Sequence, residues 1–262
     1  MSFDPAWLDL RAPADRAARD PGLRAAALAW LDAEPTARVV DLGCGSGALW
    51  RDFERPGLRW RLVDNDPGLL DLAAQRCPGA ETAAADLADL AALPLAGARL
   101  VTASALLDLA SAAWLDGFAA RLSAGATALY ACLSYDGAMD WTPPEPGDAA
   151  ILAAFNAHQT RDKGLGPALG PRAADHLTGA LAALGFTVHT ARSPWRLADR
   201  DEPLLAALAE GVGQAAAETG LSGVADWVQA RRAARGCVVG HSDVLAFPPA
   251  SAQSKTTSES RP

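Results

Sequence analysis

Lysine is nearly absent from this chain. Only Lys163 and Lys255 supply it among 23 basic residues, and these are outnumbered by 31 acidic ones, for a net charge of −8 at pH 7. Duplex-binding proteins carry a basic footprint. Here the one basic cluster is Arg231, Arg232 and Arg235, which reads as a solvated helical face, so nucleic acid is disfavoured as partner or substrate. Cysteine is also scarce. Cys44, Cys77, Cys132 and Cys237 contain no CxxC pair and no zinc-finger tetrad, so neither a metal site nor a disulfide framework is expected. Buried free thiols in a reducing cytoplasm are the expectation instead. There is no run of 18 apolar residues, which excludes a membrane-spanning helix. The opening residues, MSFDPAWLDLRAPADR, lack a basic-then-apolar signal pattern, in keeping with a cytoplasmic location.

What is present is ordinary globular material. The 262 residues are 50% hydrophobic and 21% charged, enough for one large domain or two small ones. The abundance of alanine, with arginine used in place of lysine, reads as a compositional bias.

Short apolar runs alternate with helical patterns along the first half. Asp20-Pro21 caps a helix whose Leu23, Ala27, Trp30 and Leu31 share a face. Strands are predicted at 38–42, 60–64, 81–84 (weakly), 99–104 and 126–133, with helices at 48–54, 67–76 and 111–121 between them. That alternation predicts a doubly wound α/β fold with a mostly parallel sheet covered on both faces. The stretch 134–171 breaks the rhythm with five prolines and five glycines, and reads as an inserted loop holding a short helix near 149–158. Helices at 172–184 and 202–219, a further helix to about 234, and strands at 186–189 and 237–247 follow. The expected organisation is a helical cap over 1–34, a main domain over 35–249 and a disordered Ser/Thr/Lys/Pro-rich tail over 250–262.

The strongest chemical signal is Asp41-Leu42-Gly43-Cys44-Gly45-Ser46-Gly47, where a strand enters a glycine-rich turn and a helix starts directly after it. Glycine turns sharply and lets a ligand lie against the main chain. Gly43, Gly45 and Ala48 also satisfy the looser dinucleotide pattern, which is weak evidence taken alone. Three acids decide between ligands. Asp41 lies two residues before the first glycine, where it can face a cation. Asp64 closes the second strand, where a carboxylate can accept from ribose hydroxyls. Asp86 follows the third strand, where it can accept from an adenine amino group. An ammonium, a ribose diol and an adenine suit these acids, and a pyrophosphate does not.

With these residues in place, the chain resembles a class I S-adenosylmethionine-dependent methyltransferase over about residues 36–134. The resemblance implies a Rossmann-like, doubly wound, seven-stranded, mostly parallel sheet. Its last strand, Gly240 to Phe247, would be antiparallel and inserted. It implies that Asp41 holds the methionine part of S-adenosyl-L-methionine, while Gly43, Cys44 and Gly45 pass beneath it. Asp64 would bind the ribose with Asn65 beside it, and Asp86 and the Leu87 N–H would meet the adenine. Residues 100–109 resemble the fourth-strand motif, placing Ser104 close to the transferred methyl.

The acceptor side is less legible. Nucleic-acid amino-methylating enzymes commonly carry a [DNS]-P-P-[YFW] turn after the fourth strand, and Ser104-Ala105-Leu106-Leu107 stands there instead. With the negative charge, this points to a small-molecule acceptor. The 134–171 segment, with help from the N-terminal segment, is the expected roof, with Tyr135, Trp141, Asn156, His158, Gln159, Arg161, Asp162 and Lys163 as its polar and aromatic candidates. It reads either as a recognition lid or as a solvated turn. His158 is the first general-base candidate, since its ordinary pKa suits neutral pH, and an exposed helix histidine is the other reading. Asp108, just past the fourth strand, is the second. Arg11, Asp15, Arg16 and Arg19 recur at helical spacing, as self-satisfied surface pairs or with one arginine meeting the cofactor carboxylate. Two rival readings stay open: a NAD-dependent oxidoreductase, which Asp41 and Asp86 argue against, and a non-catalytic interaction protein that keeps the fold.

Overall fold

The computed structural model describes residues 4–53 and 55–250. The disordered tail expected over 250–262 therefore lies, from residue 251 on, outside the described residues. Two helices come first, α1 (Pro5–Ala18) and α2 (Pro21–Asp32). Asp4 and Asp20 cap them by accepting from the Ala6 and Leu23 N–H groups. A proline follows each cap, with φ already helical and no N–H left unpaired.

The alternating units follow: β1 (Arg38–Leu42), α3 (Ala48–Asp52), β2 (Arg59–Asp64), α4 (Pro67–Arg76), β3 (Glu81–Ala84), β4 (Ala98–Ser104), α5 (Ala112–Ala124) and β5 (Ala128–Thr142). The second half adds α6 (Asp148–Gln159), α7 (Ala173–Ala183), β6 (Thr187–Arg192), β7 (Trp195–Ala198), α8 (Glu202–Ala217), α9 (Val224–Arg231) and β8 (Gly236–Phe247). The sheet order is β3-β2-β1-β4-β5-β8-β6. Strands β1 to β5 pair in parallel, and β8 runs antiparallel between β5 and β6. The inserted antiparallel last strand is thus present. The strand count differs from seven, because β7 also pairs with β8 and makes eight.

Helices cover both faces of the sheet, so the central strands are mostly apolar on both faces rather than at alternate positions, with Asp41 and Thr102 as a buried hydrogen-bonded pair among them. On one face Val40, Leu42 and Val101 pack with Leu115, Phe118 and Leu177 from α5 and α7. On the other, Val39, Leu62 and Leu100 pack with Leu31 of α2, Leu49 of α3 and Phe53 just after α3. Of the 1–34 segment, α2 therefore belongs to the main core, and α1 alone lies over the strand ends.

The expected 134–171 loop needs correction. Its first nine residues continue β5, paired with β8 as far as Thr142 against Gly236. Register shifts fall between Ala131 and Ser134 and between Tyr135 and Met139, around Gly137 at φ +92°. These bulges hide the alternation and explain why glycine content reads as loop. Leu133, at φ +58°, is fixed at the bend by donating its N–H to Asp243 Oδ1 at 2.9 Å. Beyond the bend, Tyr135, Met139 and Trp141 face a separate apolar cluster with Trp195, Leu205 and Trp227. Arg231 is no solvated residue: it is 2% exposed, donates to Asp148 Oδ1 at 2.6 Å and lies near the rings of Trp141 and Trp227. All four cysteines are buried and free.

Candidate active site

The turn after β1 needs glycine for conformation and for space. Gly43, Gly45 and Gly47 all take positive φ, at +63°, +53° and +81°. A Cβ on Gly47 would collide with Cys77 Sγ, and one on Gly45 would come within 3.1 Å of Leu8 Cδ1. Two main-chain bonds tie the turn to the neighbouring strand. Cys44 N–H donates to the Val63 carbonyl at 3.0 Å, and Gly45 N–H donates to Asp64 Oδ2 at 2.9 Å. Asp64 also accepts from the Asp66 N–H through Oδ1 at 3.1 Å. Its carboxylate is buried and oriented, and each oxygen keeps a second lone pair for a ligand hydroxyl.

Over this turn lies a cavity of about 350 Å³, at the carboxyl ends of β1, β2 and β4. That is where open α/β sheets bind ligands, and the size suits a small molecule. Gly43, Cys44, Gly45, Asp64 and Asn65 line one side of it. Asp86, Leu87 and Ser104 line the rest of the expected set. The Leu87 carbonyl is held by Trp114 Nε1–H at 2.7 Å, which fixes that loop against α5. Eight of the nine residues expected to hold a cofactor therefore meet in one cavity.

Asp41 is the ninth, and it lies underneath. It is 2% exposed and accepts from Thr102 Oγ1 at 2.8 Å. Burial pushes its carboxyl up to about 7, against the opposing pull of the Thr102 hydrogen bond and of Arg19. A cation bound above the turn would favour its ionised form.

The roof is where reading the sequence reaches less far. Leu8, Arg11 and Asp15 of α1 line the cavity opposite the turn, with Lys163, Gly164 and Leu165. Arg11 grips Asp15 through Nε at 2.9 Å and Nη2 at 3.1 Å, and Trp195 Nε1–H donates to Asp15 Oδ1 at 3.0 Å. Arg11 also lies over the Trp195 ring, 5.1 Å from its centroid. These are not surface pairs. Arg19 is 5% exposed and contacts Asp52, Cys132 Sγ and Ser104 Oγ, the last at 3.3 Å. The signal available in the sequence was the repeat of Arg11, Asp15 and Arg19 on one helical face.

Of the eight roof candidates at 134–171, Lys163 alone is among the cavity-lining residues. Tyr135 donates to Asn156 Oδ1 at 2.8 Å, and Trp141 packs on Trp227. His158 stands behind Lys163: its Nδ1 is 3.4 Å from Lys163 Nζ and its Nε2 is 2.9 Å from Glu218 Oε2. Asp108 is also set back, in a 3₁₀ turn over Leu107–Leu109 whose Leu109 lines the cavity. Burial pushes Asp108 up to about 6, opposed by main-chain hydrogen bonds and by the charges of Arg11 and Lys163. Burial likewise lowers Lys163 from the ordinary lysine range, opposed by Asp108 and Glu218.

No protein-family model and no curated protein matches the chain. Among solved structures, it is similar to the YcgJ protein from Bacillus subtilis, with a TM-score of 0.51 at 10% identity over 87% of this chain and 99% of that one. It is also similar to a SAM-dependent methyltransferase from Geobacter sulfurreducens in complex with S-adenosyl-L-homocysteine, with a TM-score of 0.48 at 16% identity over 95% and 100% of the two chains. A SAM-dependent methyltransferase from Thiobacillus denitrificans, with the same ligand, gives 0.47 at 16% over 94% and 99%. At such identities a likeness speaks for fold and not for chemistry. By its strand order and its inserted antiparallel strand, the chain has the Rossmann-like fold of the class I S-adenosylmethionine-dependent methyltransferases.

Proposed function

We propose that the chain is an S-adenosylmethionine-dependent methyltransferase acting on a small-molecule acceptor. The observation that carries this reading is the convergence of the glycine turn with Asp64, Asn65, Asp86, Leu87 and Ser104 on one cavity. Bound S-adenosylmethionine supplies an electrophilic methyl on a sulfonium centre. The groups present fit it: Asp64 can accept from a ribose diol, Asp86 from an adenine amino group, and Asp41 favours a cation above the turn. Gly43 and Gly45 leave room for a ligand against the main chain.

The chain's own contribution is then to hold the acceptor in line and to exclude water. Leu8, Leu106, Leu109 and Leu165 give the cavity its apolar wall. Lys163 is the roof group on the cavity whose amine is backed by the imidazole of His158. As the neutral amine it takes a proton from an acidic acceptor, and as the ammonium it holds an anionic one, while His158, itself in contact with Glu218, positions it from behind. His158 thus acts through Lys163, and Asp108 acts through its charge on the same ammonium. The small cavity and the net charge of −8 support a small acceptor over a nucleic acid.

The test is calorimetric titration of the full chain with S-adenosyl-L-homocysteine and, separately, NADH. Micromolar affinity for the first and none for the second is expected. NADH binding without binding of S-adenosyl-L-homocysteine overturns the assignment.

A further inference from the structure

A second cleft, of about 460 Å³, opens where α1, α2 and α3 meet. Four of its lining residues are arginines (Arg16, Arg19, Arg24 and Arg51), and its one carboxylate is Asp52. This is an unusual concentration in a chain with net charge −8. We infer that this cleft is a binding site for a phosphorylated small molecule, separate from the cofactor cavity.

Local structure brings the cations together. The break at Asp20-Pro21 turns the chain between α1 and α2, so that Arg16 and Arg19 at the end of one helix face Arg24 at the start of the other. The last turn of α3 adds Arg51 and Asp52. Arg19 is committed to the protein: its side chain is 2% exposed and contacts Asp52, Cys132 and Ser104. The other three are held less fully. Arg16 meets Asp52 through Nε at 2.6 Å, with a side chain 65% exposed. Arg24 donates to the Asp52 carbonyl, which closes the open end of α3, and Arg51 Nη1 donates to the Ser46 carbonyl at 2.8 Å. Among the described residues, neither Arg24 nor Arg51 forms an ion pair with a carboxylate.

Each guanidinium presents five N–H donors in a planar fork, and the bonds above use only a part of them. Forks of this kind match phosphate oxygens in pairs, which lysine cannot do. The cations stand on three different helices around a concave space, so they can surround a compact anion rather than track an extended strand. A phosphate or diphosphate group on a small molecule fits that description. Asp52 is the group the anion displaces from Arg16, while Arg19 keeps Asp52 paired.

The experiment titrates the full chain with inorganic pyrophosphate, inorganic phosphate and citrate at low ionic strength, followed by calorimetry and amide shifts. The proposal expects pyrophosphate to bind more tightly than citrate and to shift amides of residues 16–24 and 51–53. Arg16→Gln should weaken it at least fivefold, and Arg16→Gln with Arg24→Gln should remove it, while thermal melting confirms that the variants fold. Equal affinity for citrate overturns the phosphate assignment. Absence of pyrophosphate binding, or binding that Arg16→Gln leaves unchanged, overturns the site. The cofactor reading is not engaged by either result, since S-adenosyl-L-homocysteine binds elsewhere.

Discussion

The floor and the roof of the cavity are built by different means. The floor consists of strand ends and one tight turn, with positions fixed by the ladder between β1, β2 and β4. Its polar groups are joined through the main chain: Asp64 to Gly45 and Asp66, and Cys44 to Val63. The roof consists of one face of α1 and three residues at 163–165, gathered from parts of the sequence about 150 residues apart. Its polar groups are joined through side chains, Arg11 to Asp15 and Lys163 to His158. Under the proposed function, the floor would hold the cofactor and the roof would meet the acceptor.

If the comparison is right, substitutions on the floor act mainly on cofactor affinity. The largest effect is expected from Asp64→Ala, which removes the carboxylate that orients the turn and meets the ligand. A charge-assisted hydrogen bond contributes roughly 1.5–3 kcal/mol, so affinity for S-adenosyl-L-homocysteine should fall about a hundredfold by calorimetry. An unchanged affinity would place the cofactor elsewhere.

Asp41→Asn separates ligand binding from stability. Burial raises the Asp41 carboxyl to about 7. Its native form is therefore protonated where the unfolded form, with a pKa near ~4, is ionised. The cost is absent below that pH, grows as pH rises towards about 7 and is complete above it. Asparagine still accepts from Thr102 and carries no such cost. The variant should melt with wild type at pH 4 and roughly 3–6 °C above it at pH 8. Its affinity for S-adenosyl-L-homocysteine, which has an ammonium group, should fall about tenfold, the worth of ~1.4 kcal/mol. Melting below wild type at pH 8 would refute the burial argument.

Roof substitutions should do less to the cofactor. Leu8 contributes part of its side chain to the cavity wall and would lie 3.1 Å from a Cβ on Gly45. Leu8→Ser should weaken S-adenosyl-L-homocysteine by about three- to fivefold, as expected for partial loss of a buried leucine's ~1.5–3 kcal/mol. A loss as great as that of Asp64→Ala would abolish the distinction between the two regions. The smallest effect is expected at His158. His158→Gln removes a partner of Glu218 and Lys163 without touching the cavity, so cofactor affinity should stay within twofold of wild type by the same titration.

The same division governs what could be read from the sequence. The strand-turn-helix at 38–52 and the acids at 64 and 86 are local patterns, each readable within a short window. β3 was legible even at four residues, because Glu81–Ala84 lies between a helix end and an acid-bearing loop. The extension of β5 was not. Tyr135, Met139 and Trp141 do alternate, but Gly137 and two register shifts interrupt the pattern, and the strand exists because β8 pairs with it from a hundred residues away. Nor was the placement of Arg11 and Asp15, whose spacing gives a helical face without saying what that face covers. Arg231 shows the same limit: a run of arginines reads as solvated until Asp148, Trp141 and Trp227 close around one of them.

The central claim is that one cavity at the strand ends binds the cofactor, with Asp64 at its heart. The most direct measurement is a structure of the full chain grown with S-adenosyl-L-homocysteine. The account expects the ribose hydroxyls within hydrogen-bond distance of the Asp64 carboxylate, with the adenine beside Asp86 and Leu87. A ligand bound outside this cavity, or a ribose turned away from Asp64, would contradict it.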